Sequence, residues 1–177
     1  MANSNVQGGT RANTQGHLFE NIMLPIFQGN GFSVFQHSEI QKNPSMLNGI
    51  DRYVIRNVPF TTIYAQSGKT EFVIYDNTAI SSSGNTYCRT VRVEAKWQQA
   101  AGSVDEKYPY MLLNGIYQYP EKEIIFVVDG GGYKPGARRW LQDQIDNDWL
   151  QYKELQHKSI QLMTISEFVA WFNREFH

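Results

Sequence analysis

Apolar residues recur with a helical period near the start of the chain. Leu18, Ile22 and Ile26 are spaced four residues apart, which predicts a helix with one apolar face. Gly29 and Gly31 follow this repeat, and we expect them to end the helix, because glycine readily adopts the left-handed conformation of a helix C-terminus.

Strand-like patterns with turn residues between them follow this helix. Residues 32–36 alternate and predict a strand, whereas residues 38–49 contain Pro and Asn-Gly turn signals and predict a loop. Polar residues 77–87 predict a second loop, and residues 88–97 alternate again as a strand does. Between the two loops we expect three β-like runs, at residues 51–57, 59–66 and 70–76. The last two are joined by a hairpin connection at residues 67–69.

The second half of the chain alternates helices with strands. Helices are predicted at residues 103–118 and around 137–146, and a last helix is predicted after an N-cap at Ser166. A continuous apolar run at 123–130 predicts a strand buried on both faces, and residues 159–164 predict another. This order predicts an α/β fold, a central mixed β-sheet flanked by helices with an inserted β-hairpin.

The amino-acid composition mainly excludes certain classes of protein. The 177 residues carry 16 Lys and Arg against 17 Asp and Glu, a formal charge of −1. This balance excludes a basic protein that coats nucleic acid, since such domains have a pI above about 9. The sequence contains no apolar run of about 18 residues, so we expect no membrane partner. One cysteine excludes an internal disulfide and favours a cytoplasmic protein.

The segment 91–97, VRVEAKW, carries the most informative chemistry. Glu94 and Lys96 are two positions apart on a strand, so both side chains leave the same face. A solvated strand with alternating charge is one interpretation. The other is a metal site, in which Asp51, at the start of an earlier strand, lies beside Glu94. Two converging carboxylates suit Mg²⁺, and a lysine beside them can stabilise charge on a phosphate.

Asp51, Glu94 and Lys96 resemble the motif of the PD-(D/E)xK nuclease superfamily. An Asp at one strand and a Glu-x-Lys at the next define that motif, and the order of elements over residues 15–175 is similar to the superfamily core. Ile50 stands where the name of the motif has proline. Asp76 is the rival first metal ligand; we prefer Asp51 because it precedes its strand.

The resemblance implies a set of functional residues. Asp51 and Glu94 would bind Mg²⁺, with Mn²⁺ able to substitute, and Glu20 in the first helix would assist. Lys96 would position a water or balance charge on the phosphate. Gln98, directly after the motif, would support the site, unless it is only a solvated residue at the strand end.

Basic residues near glycines predict contacts with nucleic acid. Residues 127–140, VVDGGGYKPGARRW, place Lys134, Arg138 and Arg139 at a turn between a strand and a helix, where backbone amides and basic side chains can bind phosphates. A tight turn without a ligand is the alternative. Lys107 lies near the Glu-x-Lys segment and is a further candidate.

We therefore expect a Mg²⁺-dependent endonuclease that hydrolyses phosphodiester bonds of double-stranded DNA, of a restriction-like or phage type. A homodimer is expected, because one site cuts one strand. Two alternatives remain: a resolvase of Holliday junctions or other branched DNA, and a non-catalytic DNA-binding or assembly subunit with a nuclease-like fold. Residues 1–14 are expected to form a flexible polar arm and residues 15–177 a single nuclease domain, in a bacterial cytoplasm and encoded by the bacterium or a phage.

Overall fold

A computed structural model describes residues 19–97, 105–147 and 157–177. Six strands form one sheet in these ranges: β1 (Ser33–Gln36), β2 (Arg52–Thr61), β3 (Ser67–Ile80), β4 (Thr86–Trp97), β5 (Glu123–Asp129) and β6 (Ser159–Met163). The helices are α1, with its described part at residues 19–29, α2 (His37–Lys42), α3 (Lys107–Tyr117), α4 (Pro135–Asp146) and α5 (Ile165–Glu175). None of the helices in these ranges is long and apolar enough to cross a membrane.

The sheet is mixed, and its strands lie side by side in chain order. The central strands β2, β3 and β4 pair antiparallel, whereas β1 pairs parallel with β2, and β5 and β6 continue parallel from β4. A central mixed β-sheet with flanking helices is the predicted α/β fold, which the structure confirms.

Hydrophobic clusters cover both faces of the sheet. Successive strand residues point to opposite faces, so Val91, Val93 and Ala95 of β4 pack against α1 and α5. On the opposite face, Phe126 and its neighbours on β5 pack against α3 and α4. Arg92, Glu94 and Lys96 belong to this second face, which places the charged side of β4 towards α3.

The first helix uses a different face from the one predicted. Phe19, Met23 and Phe27 are its fully buried residues, whereas Ile22 and Ile26 pack only partly against the core. The rings of Phe19 and Phe27 pack on that of Phe72 in β3, with centroids 5.7 and 5.1 Å away. The predicted C-terminus is correct: the helix ends at residue 29, and Gly31 has a φ of +82°.

The hairpin before β4 differs from its prediction. The predicted runs 51–57 and 59–66 fall mainly on one strand, β2, and the turn lies at 62–66 rather than at 67–69. Pro59 interrupts the sequence pattern but not strand β2. Because β1 pairs with β2 only as far as Arg56, Pro59 lies beyond β1, and its missing N–H removes no hydrogen bond between these two strands.

Three other boundaries also differ. The predicted loop at 38–49 contains α2 and a short 3₁₀ helix at Pro44–Leu47. The loop at 77–87 shrinks to 81–85, because polar residues on either side continue β3 and β4. Thr164, not Ser166, caps α5, since its hydroxyl accepts from the backbone N–H of Glu167 while that glutamate bonds back to the cap.

Candidate active site

A fork between β3 and β4 forms the centre of the candidate site. The two strands pair as far as Phe72 and Val93. Beyond this pair the backbone N–H of Ala95 donates to the carboxylate of Glu71 at 2.8 Å, so a side chain replaces a ladder bond. Glu71 and Glu94 are the next residues after the pair, and they lie beside each other on the face that α3 covers.

The Lys96 ammonium joins these two carboxylates. Its Nζ donates to Glu94 Oε1, lies 4.0 Å from Glu71 Oε1, and donates to the Ala95 carbonyl oxygen at 3.1 Å. Burial alone would lower the pKa of Lys96, but the negative charges of Glu94 and Glu71 outweigh burial and raise it. Lys96 is therefore a cation in this site.

Glu71 is the member of the site that sequence reasoning missed. Burial, followed by the charge of the neighbouring Glu94, raises the pKa of Glu71 to about 8 against the opposing effect of Lys96. A signal was present, because Glu71 directly precedes the apolar run FVIY of its strand, TEFVIYD. The antiparallel register of the two strands brings the two positions together.

A buried network of hydrogen bonds and one ion pair lies next to Glu94. The Tyr119 hydroxyl donates to Glu94 Oε2 at 3.4 Å, and burial, followed by the charge of Glu94, raises the pKa of this tyrosine, which keeps it protonated. The Arg92 guanidinium lies 5.0 Å from the centre of the Tyr119 ring and forms a bidentate pair with Glu121. The Thr70 hydroxyl accepts a further bond from Arg92 at 2.9 Å.

Glu94 and Lys96 open into a pocket of about 300 Å³ between the β2–β3 hairpin and α3. Lys69 of the hairpin and Lys107 of α3 line it, together with the aromatic or apolar side chains of Phe60, Tyr110, Met111 and Tyr119. The site thus combines carboxylates, three cations and an apolar wall, a combination that can bind a metal and a phosphate together.

The structure does not bring Asp51 or Asp76 to Glu94. Asp51 is exposed and precedes Arg52, which pairs with Asp76, and Asp76 in turn pairs with Arg89 of β4. Five residues separate Arg89 from Glu94, which is roughly 16 Å along a strand. Neither aspartate therefore reaches the fork, where Glu71 is the carboxylate that lies beside Glu94.

Glu20 lies on the opposite face of the sheet. It forms an ion pair with Arg56, which pairs with Phe72, a residue of the core under α1 and α5. The sheet itself separates this pair from Glu94. Gln98 and the polar arm at residues 1–14 lie outside the described residues.

The predicted basic residues divide into two groups. Lys107 lines the pocket with Glu94, whereas the other three lie on or next to α4. Lys134 and Arg139 are exposed, and Arg138 lies 3.9 Å from the Glu167 carboxylate. Their contact with nucleic acid stays a prediction.

The glycine turn before α4 lies at the same end of the strands as the fork. Lys96 pairs with Val128, two residues before Gly130, whose φ of +103° favours glycine. The Gly130 N–H donates to the Asp129 carboxylate at 2.7 Å, and that carboxylate also accepts from the N–H of Ile165 at 2.9 Å. Asp129 is therefore a turn residue that ties β5 to α5.

Oxygen atoms at the fork are the donors available to a divalent cation. No cluster of three or more His, Cys, Asp or Glu side chains occurs within the described ranges. Glu71 and Glu94 nevertheless supply two carboxylates within reach of one ammonium, and the Ala95 carbonyl oxygen lies at the same point. Carboxylate and carbonyl oxygens are hard ligands of Mg²⁺, which keeps several waters as further ligands. The residues fit such an ion.

Comparison with known proteins identifies the family. Among solved structures, the chain is similar to MspJI restriction endonuclease in complex with a 27-mer oligonucleotide, with 15% identity and a TM-score of 0.38. The match covers 99% of this chain and 35% of that chain. No curated protein matches the sequence. The model of the PD-(D/E)XK nuclease superfamily domain matches residues 11–176, and the protein therefore belongs to the PD-(D/E)XK nuclease superfamily, as the resemblance implied.

Proposed function

We propose that the protein is a Mg²⁺-dependent endonuclease that hydrolyses phosphodiester bonds of double-stranded DNA, of a restriction-like or phage type. The observation that supports this most directly is the convergence of Glu71, Glu94 and Lys96 at the fork, where Glu94 and Lys96 also line the pocket. A subunit without catalysis has no need for two carboxylates and an ammonium at the end of a fork, where their burial is costly.

Glu71 and Glu94 would hold the cation together with the Ala95 carbonyl oxygen. When bound, a divalent ion supplies a Lewis acid that polarises the phosphate and lowers the pKa of a water. Burial and then the charge of Glu94 raise the pKa of Glu71, and the second effect supports this assignment, since a bound divalent cation would relieve the repulsion between the two carboxylates.

Lys96 would neutralise the charge that builds up on the phosphate during hydrolysis. Its raised pKa keeps it cationic, and it lies where both carboxylates and the substrate meet. Tyr119 would hold the Glu94 carboxylate in place through its hydroxyl, with the buried Arg92–Glu121 pair behind it.

The DNA backbone would follow the polar surface beside the pocket. Lys69 lines both this pocket and a second cleft of about 520 Å³ on its other side, which is walled by polar side chains: Gln36, His37, Ser38, Gln41 and Asn57. Lys107 faces Lys69 across the first pocket. We include Lys134, Arg138 and Arg139 as a more distant phosphate contact, and the N-terminal arm as a further one.

A homodimer is part of the proposal, because one site cuts one strand and a duplex has two. The proposed location is the cytoplasm of a bacterium, where a protein with one cysteine needs no oxidising environment.

Nicking of supercoiled plasmid by the purified protein tests the proposal. We expect cleavage in Mg²⁺ or Mn²⁺, none in EDTA, and a loss of at least 100-fold in rate for Lys96→Ala and Glu71→Gln. Lys122→Ala is the control, since Lys122 is exposed at the opposite end of the sheet, before β5. A synthetic four-way junction assayed in parallel would reveal a resolvase. Failure of the wild-type protein to cut any duplex, branched or single-stranded DNA would exclude the enzyme.

A further inference from the structure

Tyr64 is the most exposed aromatic side chain in the described part of the chain, at 68%. It lies in the turn between β2 and β3, beside the candidate site. Its ring stacks on that of Tyr110, with the centroids 5.2 Å apart and the planes 25° from parallel. Tyr110 in turn lines the pocket that contains Glu94 and Lys96. An aromatic surface open to solvent therefore borders the place where the phosphate would bind.

The tip of the hairpin is held in place without the Tyr64 ring. The buried Asn114 side chain accepts from the backbone N–H of Ile63 at 2.9 Å and donates to the Tyr110 carbonyl oxygen at 2.9 Å. Gly68 packs so closely on Phe60 that an added Cβ would lie 2.8 Å from the ring. Because these contacts anchor the tip, the exposed face of Tyr64 is not needed to fix the hairpin on α3.

The pocket is also larger and more apolar than a phosphate requires. Its volume of about 300 Å³ lies at the lower end of the range of small-molecule pockets, about 300–1,000 Å³. Phe60, Met111 and the ring faces of Tyr110 and Tyr119 provide a wall that makes no favourable contact with a phosphate oxygen. Aromatic side chains next to cations are instead the features by which proteins bind unpaired nucleotides, whose bases stack on the rings.

We propose that Tyr64 and Tyr110 form a stacking platform for one nucleobase next to the scissile phosphate, which gives the enzyme a preference for DNA with an unpaired nucleotide there. This inference rests on the proposed function and specifies its substrate. A base inside a duplex is covered on both faces by its neighbours, so only a base that has left the stack can lie on Tyr64. Lys69 and Lys107 would hold the phosphates on either side of it.

Fluorescence of 2-aminopurine measures such stacking directly. The probes are two oligonucleotide duplexes with one 2-aminopurine, which is unpaired in the first and paired in the second, with Ca²⁺ in place of Mg²⁺. We expect the wild type to quench the unpaired probe and to bind it at least fivefold more tightly than the paired one. Tyr64→Leu should lose the quenching and about tenfold in affinity for the unpaired probe, with less than a twofold change for the paired probe. Tyr64→Phe should retain both properties.

Tyr87→Leu is the matched control, because Tyr87 is exposed at the far end of β4, where it pairs with Ala79. Equal binding of the unpaired probe by Tyr64→Leu and the wild type would overturn the inference. An equal loss for both probes together with a lower Tm would also overturn it, since the pair would then act only as a structural contact. If the wild type nicks plasmid DNA while Tyr64 has no effect on binding, only this inference fails; if the wild type cuts nothing, the proposed function fails.

Discussion

The backbone N–H of Ala95 donates to the carboxylate of Glu71 at 2.8 Å, so a side chain of β3 occupies a position that the β3 backbone would otherwise take. The bond keeps the two strands apart beyond Phe72 and Val93 and leaves Glu94 and Lys96 free to face the pocket. It also holds the Glu71 carboxylate beside that of Glu94, an unfavourable arrangement that Lys96 offsets only in part, since the pKa of Glu71 stays raised. The fork thus positions the side chains of the site and also brings two negative charges together.

Glu71→Gln should stabilise the metal-free protein at alkaline pH while it abolishes cleavage. The pKa of Glu71 is about 8 in the folded protein against an ordinary value of 4.5, so the folded state holds the proton more tightly than the unfolded state. The associated stability is complete below about pH 4.5 and is lost as the pH rises through about 8. Urea unfolding in EDTA at pH 5, 7 and 9 should therefore show a smaller decline for Glu71→Gln than for the wild type.

Mg²⁺ should reverse this pH dependence in the wild type. A ligand that binds only the folded state stabilises it, so Tm at pH 8 should rise with Mg²⁺ concentration. Glu71→Gln and Glu94→Gln should show no such rise, whereas Asp51→Asn should behave as the wild type, because Asp51 lies far from the fork. A rise in Tm that requires Asp51 and not Glu71 would contradict the assignment of the metal ligands.

Asp76→Ala should lower stability without lowering the activity of the folded enzyme. The buried Asp76 Oδ1 accepts from the Thr78 backbone N–H at 2.8 Å and from the Thr78 hydroxyl at 2.6 Å, and it lies 3.3 Å from Arg52 Nε. Loss of these bonds should cost about 1–3 kcal/mol of the free energy of unfolding, as measured in urea. Asp51→Ala should change it by less than about 0.5 kcal/mol, as for an exposed side chain. Nicking rates per folded molecule should be unchanged in both.

The sequence predicted most of the order of elements and the common face of Glu94 and Lys96, but it did not predict Glu71 beside them, and the reason lies in the range of the interactions. Glu94 and Lys96 share one strand, so their common face follows from local alternation alone. The position of the Glu71 carboxylate beside Glu94 depends on the register between β3 and β4, which the turn at 81–85 sets. The residue pattern of either strand alone does not reveal that register. Asp51 begins a strand, as the family pattern suggests, but that strand is not the neighbour of β4.

The buried pair of Arg92 and Glu121 should show strong coupling in a double-mutant cycle. Both side chains are nearly inaccessible, at 2% and 7% exposure, so either single change leaves an uncompensated charge in the core. Arg92→Met and Glu121→Leu should each cost about 3–5 kcal/mol, while the double variant should recover much of this loss. Additive effects in urea unfolding would show that the pair does not act as a unit.

Lys69 and Lys107 should each contribute one ionic contact with DNA. They line the pocket from the hairpin and from α3, on either side of Glu94, where a phosphate backbone would pass. Replacing either by alanine should weaken binding of duplexes regardless of sequence and should reduce the slope of log Kd against log salt by about 1. Lys122→Ala should leave the slope unchanged, because Lys122 is exposed before β5 at the other end of the sheet. Fluorescence anisotropy between 50 and about 200 mM salt measures the slope, in the range where such contacts have large effects. If Lys122→Ala lowers the slope as much as Lys69→Ala and Lys107→Ala, the DNA is held by diffuse charge and does not follow the pocket.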